Sequence, residues 1–414
     1  MKQFKKQLIS LFLVFDLAVL LISGSLLLFP ELSAPLFAAT AEAEDSDGLP
    51  LTADDTTPPP APEATVAPSP LPTVSPFAAL DEYASLPRYT DDLELPVSGA
   101  TGYAASSLSV RSDSGNTVAS LQPGEAFRIL LMDGDRYLVE NNAGAQGWIN
   151  RGYTLINLPD VLPSAIYEDC CSSGALFRSS GLELPGITGQ SLYETYWYNA
   201  RLNCKEYAMP VVYEVAVDVA RIQRHCLENG DCLKIYQTFR PWKTQMDVAA
   251  ALRSLSGISE VVREGFRAKG YNQSWFISQG RSNHQLGLAL DVSLCRVTDT
   301  VLRNSGECTY LHVLDYEEYE MPSPMHELSS DAAVFVKAIP QMNYRLASNT
   351  ELLDTMTEGA IKLQKYFMDE GFTPLASEWW HFDDLPVYQN ARLRYGNGNY
   401  YLSGCLSSAP LVME

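Results

Sequence analysis

The stretch Ser282–Leu294, SNHQLGLALDVSL, decides how this chain is read. Its second half has the form of a buried strand: Leu288, Leu290, Val292 and Leu294 alternate with Ala289, Asp291 and Ser293. An aspartate in such a run is unusual. His284 stands in the loop before the strand, and the chain has only 5 histidines. Gly287, between the two, lets the backbone fold so that both side chains can reach one ion. A hydrogen-bonded His–Asp pair is the plain alternative, and these two residues alone do not separate the readings.

A catalytic zinc site takes three protein ligands and leaves a fourth position open. The segment SEWWHFDD (Ser377–Asp384) can complete it. His381 is the third candidate ligand, and Glu378, three residues earlier, is the candidate general base. A carboxylate beside metal-bound water can take its proton and later pass it to the leaving amine. The ion brings the pKa of that water to about 7.

The pattern Ser282-x-His284-x-x-Gly287-x-Ala289-x-Asp291, followed by Glu378-Trp379-Trp380-His381, resembles the zinc D-Ala-D-Ala peptidases. This is the group of the vancomycin-resistance dipeptidases and D,D-carboxypeptidases. YQTFRPWKTQ (Tyr236–Gln245) and MPSPMHELS (Met321–Ser329) resemble two further segments of the group, in the expected order. The resemblance spans residues 200–385. It implies the small α+β fold of these enzymes, an antiparallel sheet with packed helices. It also implies one zinc ion per chain held by His284, Asp291 and His381, with Glu378 as base. Arg240 would stabilise the oxyanion on the scissile carbonyl, a role suited to a fixed guanidinium. Ser282 either holds substrate or starts the turn, and Trp380 is a candidate substrate contact. The chain departs from the dipeptidase branch at His326, where that branch has an Asp that grips the free amine of the dipeptide. Glu327 is the neighbouring acid that could take the part. The substrate implied is D-Ala-D-Ala, free or ending a peptidoglycan stem peptide. A non-catalytic wall-binding protein on the same fold is the alternative, and loss of a ligand or of Glu378 would mark it.

Other features set the context. The formal net charge of −21 argues against a nucleic-acid partner. Lys2, Lys5 and Lys6 precede an apolar run from Leu8 to Phe29. Residues 1–30 therefore read as a signal peptide or membrane anchor, which places the rest outside the cytoplasm; association with the cell wall is what the resemblances imply. Residues 31–97 read as a disordered Pro- and acid-rich linker. From 98 to 160, short β-branched runs are broken by SGN, PGE, DGD and AGAQG. They predict a small all-β barrel that resembles bacterial SH3-like domains, modules that often bind cell-wall peptide. The peptidase domain is expected over 165–414. Helices are expected at Tyr213–Gly230 and from a capping box at Ser348/Glu351 to Gly371, and a strand at Leu233–Phe239. The 8 cysteines suit an exported chain, with Cys226/Cys232 and Cys295/Cys308 as candidate bridges.

Overall fold

A computed structural model describes residues 78–391 and 396–410. The apolar N-terminal run and the spacer up to residue 77 lie outside the described residues. Among the described residues no helix is long and apolar enough to cross a membrane. The fold is mixed α/β and its sheets are mainly antiparallel. Residues 78–410 belong to one compact unit.

The first sheet has eight strands. Seven are successive: β1 (Thr101–Ala104), β2 (Leu108–Arg111), β3 (Thr117–Leu121), β4 (Ala126–Asp133), β5 (Arg136–Asn141), β6 (Gln146–Asn150) and β7 (Thr154–Asn157). The pairing order is β13-β7-β1-β4-β5-β6-β2-β3, where β13 is the downstream segment Pro210–Val211. The expected closed barrel is thus corrected to an open sheet. Its edge is extended by chain from beyond residue 200, which pairs with Ile156 and Asn157.

Between the sheets run β8 (Ile166–Tyr167), the hairpin β9 (Arg178–Ser179)–β10 (Leu182–Glu183), and the hairpin β11 (Tyr196–Asn199)–β12 (Cys204–Tyr207). The second sheet adds β14 (Asp231–Gln237), β15 (Ala289–Ser305), β16 (Cys308–Glu318), β17 (Phe372–Leu375) and β18 (Glu378–Asp384). Its order is β17-β18-β15-β14-β8, with β16 on the distal half of β15. Only β8 and β14 pair in parallel. The first half of β15 is buried on both faces, flanked by β14 and β18. That is why it reads as an apolar run.

Helix Tyr213–Glu228 lies against β14 and stops at Gly230, whose φ of 73° suits glycine. The helix expected from Ser348 begins later, at Glu358. Thr357 caps it, accepting from the Ala360 amide, while Ser348 instead closes a short turn of helix, Tyr344–Ala347. The linker expected to run to residue 97 ends earlier. Tyr83, Leu93, Leu95 and Val97 are buried, and the Glu94 carboxylate accepts from Tyr83 and Ser164. Burial of these apolar groups outweighs the polar composition upstream. All 8 cysteines are unpaired, so neither candidate bridge is present. Cys232 instead stands opposite Cys295 across β14 and β15.

Candidate metal centre

Three elements converge at one end of the second sheet. Asp291 on β15 and His381 on β18 are directly opposite cross-strand partners, so their side chains share a face. His284 comes from the tight turn Asn283–Leu286. That turn is closed by a reciprocal cap: the Ser282 hydroxyl accepts from the His284 amide, and Gln285 accepts from the Ser282 amide. Gly287 then turns the chain into β15 with φ 65°. A side chain there would meet Leu155 and the backbone of Val211 and Val212.

Glu378 lies three residues before His381, an offset that a regular strand would place on opposite faces. The β17–β18 register shifts between Pro374 and Leu375, beside Glu378. Such irregularities re-aim side chains. The Glu378 carboxylate accordingly comes within 4.0 Å of His381 Nδ1.

The hydrogen bonds decide which atoms carry protons. His284 Nδ1–H donates to the Thr238 carbonyl at 2.6 Å, leaving Nε2 as a bare lone pair. His381 Nε2–H donates to Asp383 Oδ1 at 3.1 Å, leaving Nδ1 bare. Asp383 is held in turn by Asn283 and Gln341. These two bare nitrogens are 3.1 Å apart, and each faces Asp291 Oδ1, at 3.2 Å from His284 and 3.0 Å from His381. Three acceptors thus form a nearly equilateral triangle in the interior. One positive charge is needed at its centre: a proton on His381 Nδ1, or a metal ion. Ligand atoms around a tetrahedral ion with bonds of about 2.0–2.1 Å lie about 3.3 Å apart. The triangle fits such an ion, and among the described residues this trio is the one cluster suited to hold a metal.

Electrostatics match that arrangement. Burial pushes His284 down to about 4, so it is neutral and ready to ligate. Burial alone would raise Asp291, but the three histidines around it outweigh that and hold it well below the carboxylate range. Burial also disfavours charge on His381, yet Asp383 and Asp291 push it well above its usual value. Glu378 is pushed up to about 8, by burial first and with the Asp291 charge adding to it.

Arg240 is buried and directs three N–H groups at protein: Nε to Gln237 (2.5 Å), Nη1 to Gln245 (2.8 Å) and Nη2 to Asp291 Oδ2 (2.8 Å). A guanidinium has five N–H groups, so two remain, and Arg240 lines the adjoining cavity. That cavity, of about 360 Å³, is also lined by Ser282, His284, Glu378 and His381. Glu378 is the single carboxylate in its lining, and Arg281 on its rim makes no hydrogen bond or ion pair to any described residue.

Two expected substrate contacts lie elsewhere. The Glu327 carboxylate accepts from the backbone amides of Ser180 (2.5 Å) and Gly181 (3.1 Å), away from the cavity lining. Trp380 is buried, edge-on to His326 and Trp379, because its strand position faces the core. The sequence reading singled out His326 only as a departure and did not foresee that it donates to Asp291 Oδ2 at 3.0 Å, and it missed Asp383, which orients His381. The His-x-Asp spacing on a strand, which puts both on one face, is the signal that could have found Asp383. No protein-family model matches the chain, and no curated protein matches it.

Proposed function

We propose that this protein is a zinc-dependent peptidase that hydrolyses peptides ending in D-Ala-D-Ala, outside the membrane. The observation that carries the reading is the triangle of bare acceptors from His284, Asp291 and His381, with the Glu378 carboxyl beside it. Two imidazoles and a carboxylate with a fourth position open are the donor set of catalytic zinc. Bound zinc supplies an activated water and polarises the scissile carbonyl. Glu378 takes the water's proton at its carboxylate and returns it to the leaving amine. A carboxyl raised by burial suits both transfers. The two spare N–H groups of Arg240 would hold the oxyanion. Asp383 and Thr238 hold the outward N–H of His381 and His284, so that the other nitrogen of each ring faces the ion.

The D-Ala-D-Ala specificity and the peptidase fold rest on the motif resemblance. The cavity supports the longer of the two substrates. A free dipeptide brings an ammonium that needs a carboxylate, and Glu378 is the one acid in the lining. Glu327 is already occupied by amides. An N-extended stem peptide brings no such charge, and its terminal carboxylate suits Arg281. The sheet of β1–β7 would hold the catalytic part at the wall, as the SH3-like resemblance implies.

The test is D-alanine release by the full chain from an N-acylated tripeptide ending in D-Ala-D-Ala and from the free dipeptide, each with and without chelator. Chelator-sensitive release, faster from the acylated peptide, is expected. Release from neither would refute the peptidase reading, and release from the dipeptide alone would refute the substrate length.

A further inference from the structure

We infer that His326 is a positioning residue for the cation: with Arg240 it holds one oxygen of Asp291 so that only the other faces His284 and His381. The inference rests on the metal-site reading above. His326 is buried, and its Nε2 lies 3.0 Å from Asp291 Oδ2, the same oxygen that takes Arg240 Nη2 at 2.8 Å. A carboxylate cannot donate, so Nε2 carries the hydrogen and Nδ1 is bare. Cys170 Sγ lies 3.6 Å from that Nδ1 and is the thiol placed to donate to it. The chain of donors therefore runs from Cys170 to His326 to Asp291. It leaves Oδ1 alone for the ion and makes Asp291 a one-oxygen ligand.

The fold holds this imidazole firmly. Its ring stacks on Phe177, with centroids 4.2 Å apart and planes within 5°. Its backbone is in the left-handed region, φ 60°, which a non-glycine residue adopts only where its surroundings impose it. The surroundings here are β9. The Arg178 amide donates to the His326 carbonyl at 3.1 Å, and the Leu328 amide donates back to the Arg178 carbonyl at 2.7 Å. Glu327, clamped by Ser180 and Gly181, fixes the residue between. The segment 326–328 is thus pinned to 178–181, and the pinning delivers His326 under Asp291.

Zinc affinity of the full chain, by competition with a chromophoric chelator, would be compared among wild type, His326→Phe, His326→Gln and His284→Ala. Phenylalanine keeps the ring stack but has no donor, whereas glutamine keeps an N–H. His326→Phe should bind zinc about 10–100-fold more weakly, as losing an outer partner of a ligand does, and His326→Gln should recover most of that loss. The visible absorption of the cobalt(II) form should also change in the Phe variant as Asp291 turns to use both oxygens. A Phe variant with wild-type affinity and an unchanged cobalt spectrum would overturn the positioning role alone. A wild type that binds no more zinc than His284→Ala would overturn the metal site itself. Should the Phe variant not fold, nitrogen-15 NMR of the wild type reads the tautomer directly: Nε2–H supports the role, and Nδ1–H ends it.

Discussion

Asp160, in the short turn of helix Leu158–Asp160 after β7, accepts from the Thr101 amide at 2.7 Å and the Asn199 side chain at 2.6 Å. Asp291, in the second sheet, meets the imidazoles of His284, His326 and His381 and the guanidinium of Arg240. Both carboxyls are buried. Burial raises Asp160 and wins against the donors around it, whereas Asp291 is held low because charged or chargeable groups outweigh burial. Asp169 follows the first pattern, pushed up to about 7 by burial while hydroxyls and amides donate to it. A buried acid held by neutral donors, even with one guanidinium near it as Arg201 is near Asp160, is complete. One set among bare nitrogens is complete only with a further positive charge, which is why one of these carboxyls belongs to a candidate metal site and the others to the scaffold.

The largest test of that contrast is chemical. Glu378→Gln should lower turnover of the acylated peptide about 10²–10⁴-fold while zinc content, measured by atomic spectroscopy, stays at one per chain. Wild-type turnover would remove Glu378 as the base.

Next, Asp291→Asn and Asp160→Asn should separate in zinc titrations. The first should lose more than about 100-fold in affinity, beyond the loss from an outer partner. The second should bind zinc normally and lose about 1–3 kcal/mol of unfolding free energy in denaturant melts. Equal zinc losses in the two would erase the distinction.

A proton and a cation compete for the triangle, so zinc affinity should fall roughly tenfold per pH unit where one proton must leave. Chelator competition between pH 8 and pH 6 measures this slope, and a flat profile would mean that no proton occupies the metal-free site.

The smallest effect concerns a third acid of the scaffold type. Asp384, buried beside Asp218, is pushed up to about 8 by burial, with the Asp218 charge adding. Its folded pKa lies above the ordinary value of about 3.9. The folded state therefore holds the proton more tightly, and the stability tied to it should fall as pH rises from about 4 to about 8. Asp384→Asn should flatten that part of a Tm-against-pH curve, and an unchanged curve would show that the pair does not share a proton.

Much of the site was legible in the chain. His284, Gly287, Asp291, Glu378 and His381 stand in a pattern whose chemistry needs those residue types at those spacings. Strand periodicity around Asp291 and the helix ending at Gly230 were equally readable, because both depend on neighbours close in sequence. The limits of the spacer, the late start of helix Glu358–Asp369 and the openness of the first sheet were not. Each depends on what a distant segment covers or pairs with: Ser164 on Glu94, or Pro210–Val211 on β7. The same holds inside the site. Sequence by itself determined the candidate ligand types, the carboxyl proposed as base and the loop that delivers His284, since those are local. Only the tertiary structure decided that Asp291 and His381 are cross-strand partners, that Glu327 turns away to the amides of residues 180 and 181, and that His326 lies under Asp291. Those outcomes follow from strand register and from the pinning of 326–328 to β9, where contacts join residues about 150 positions apart.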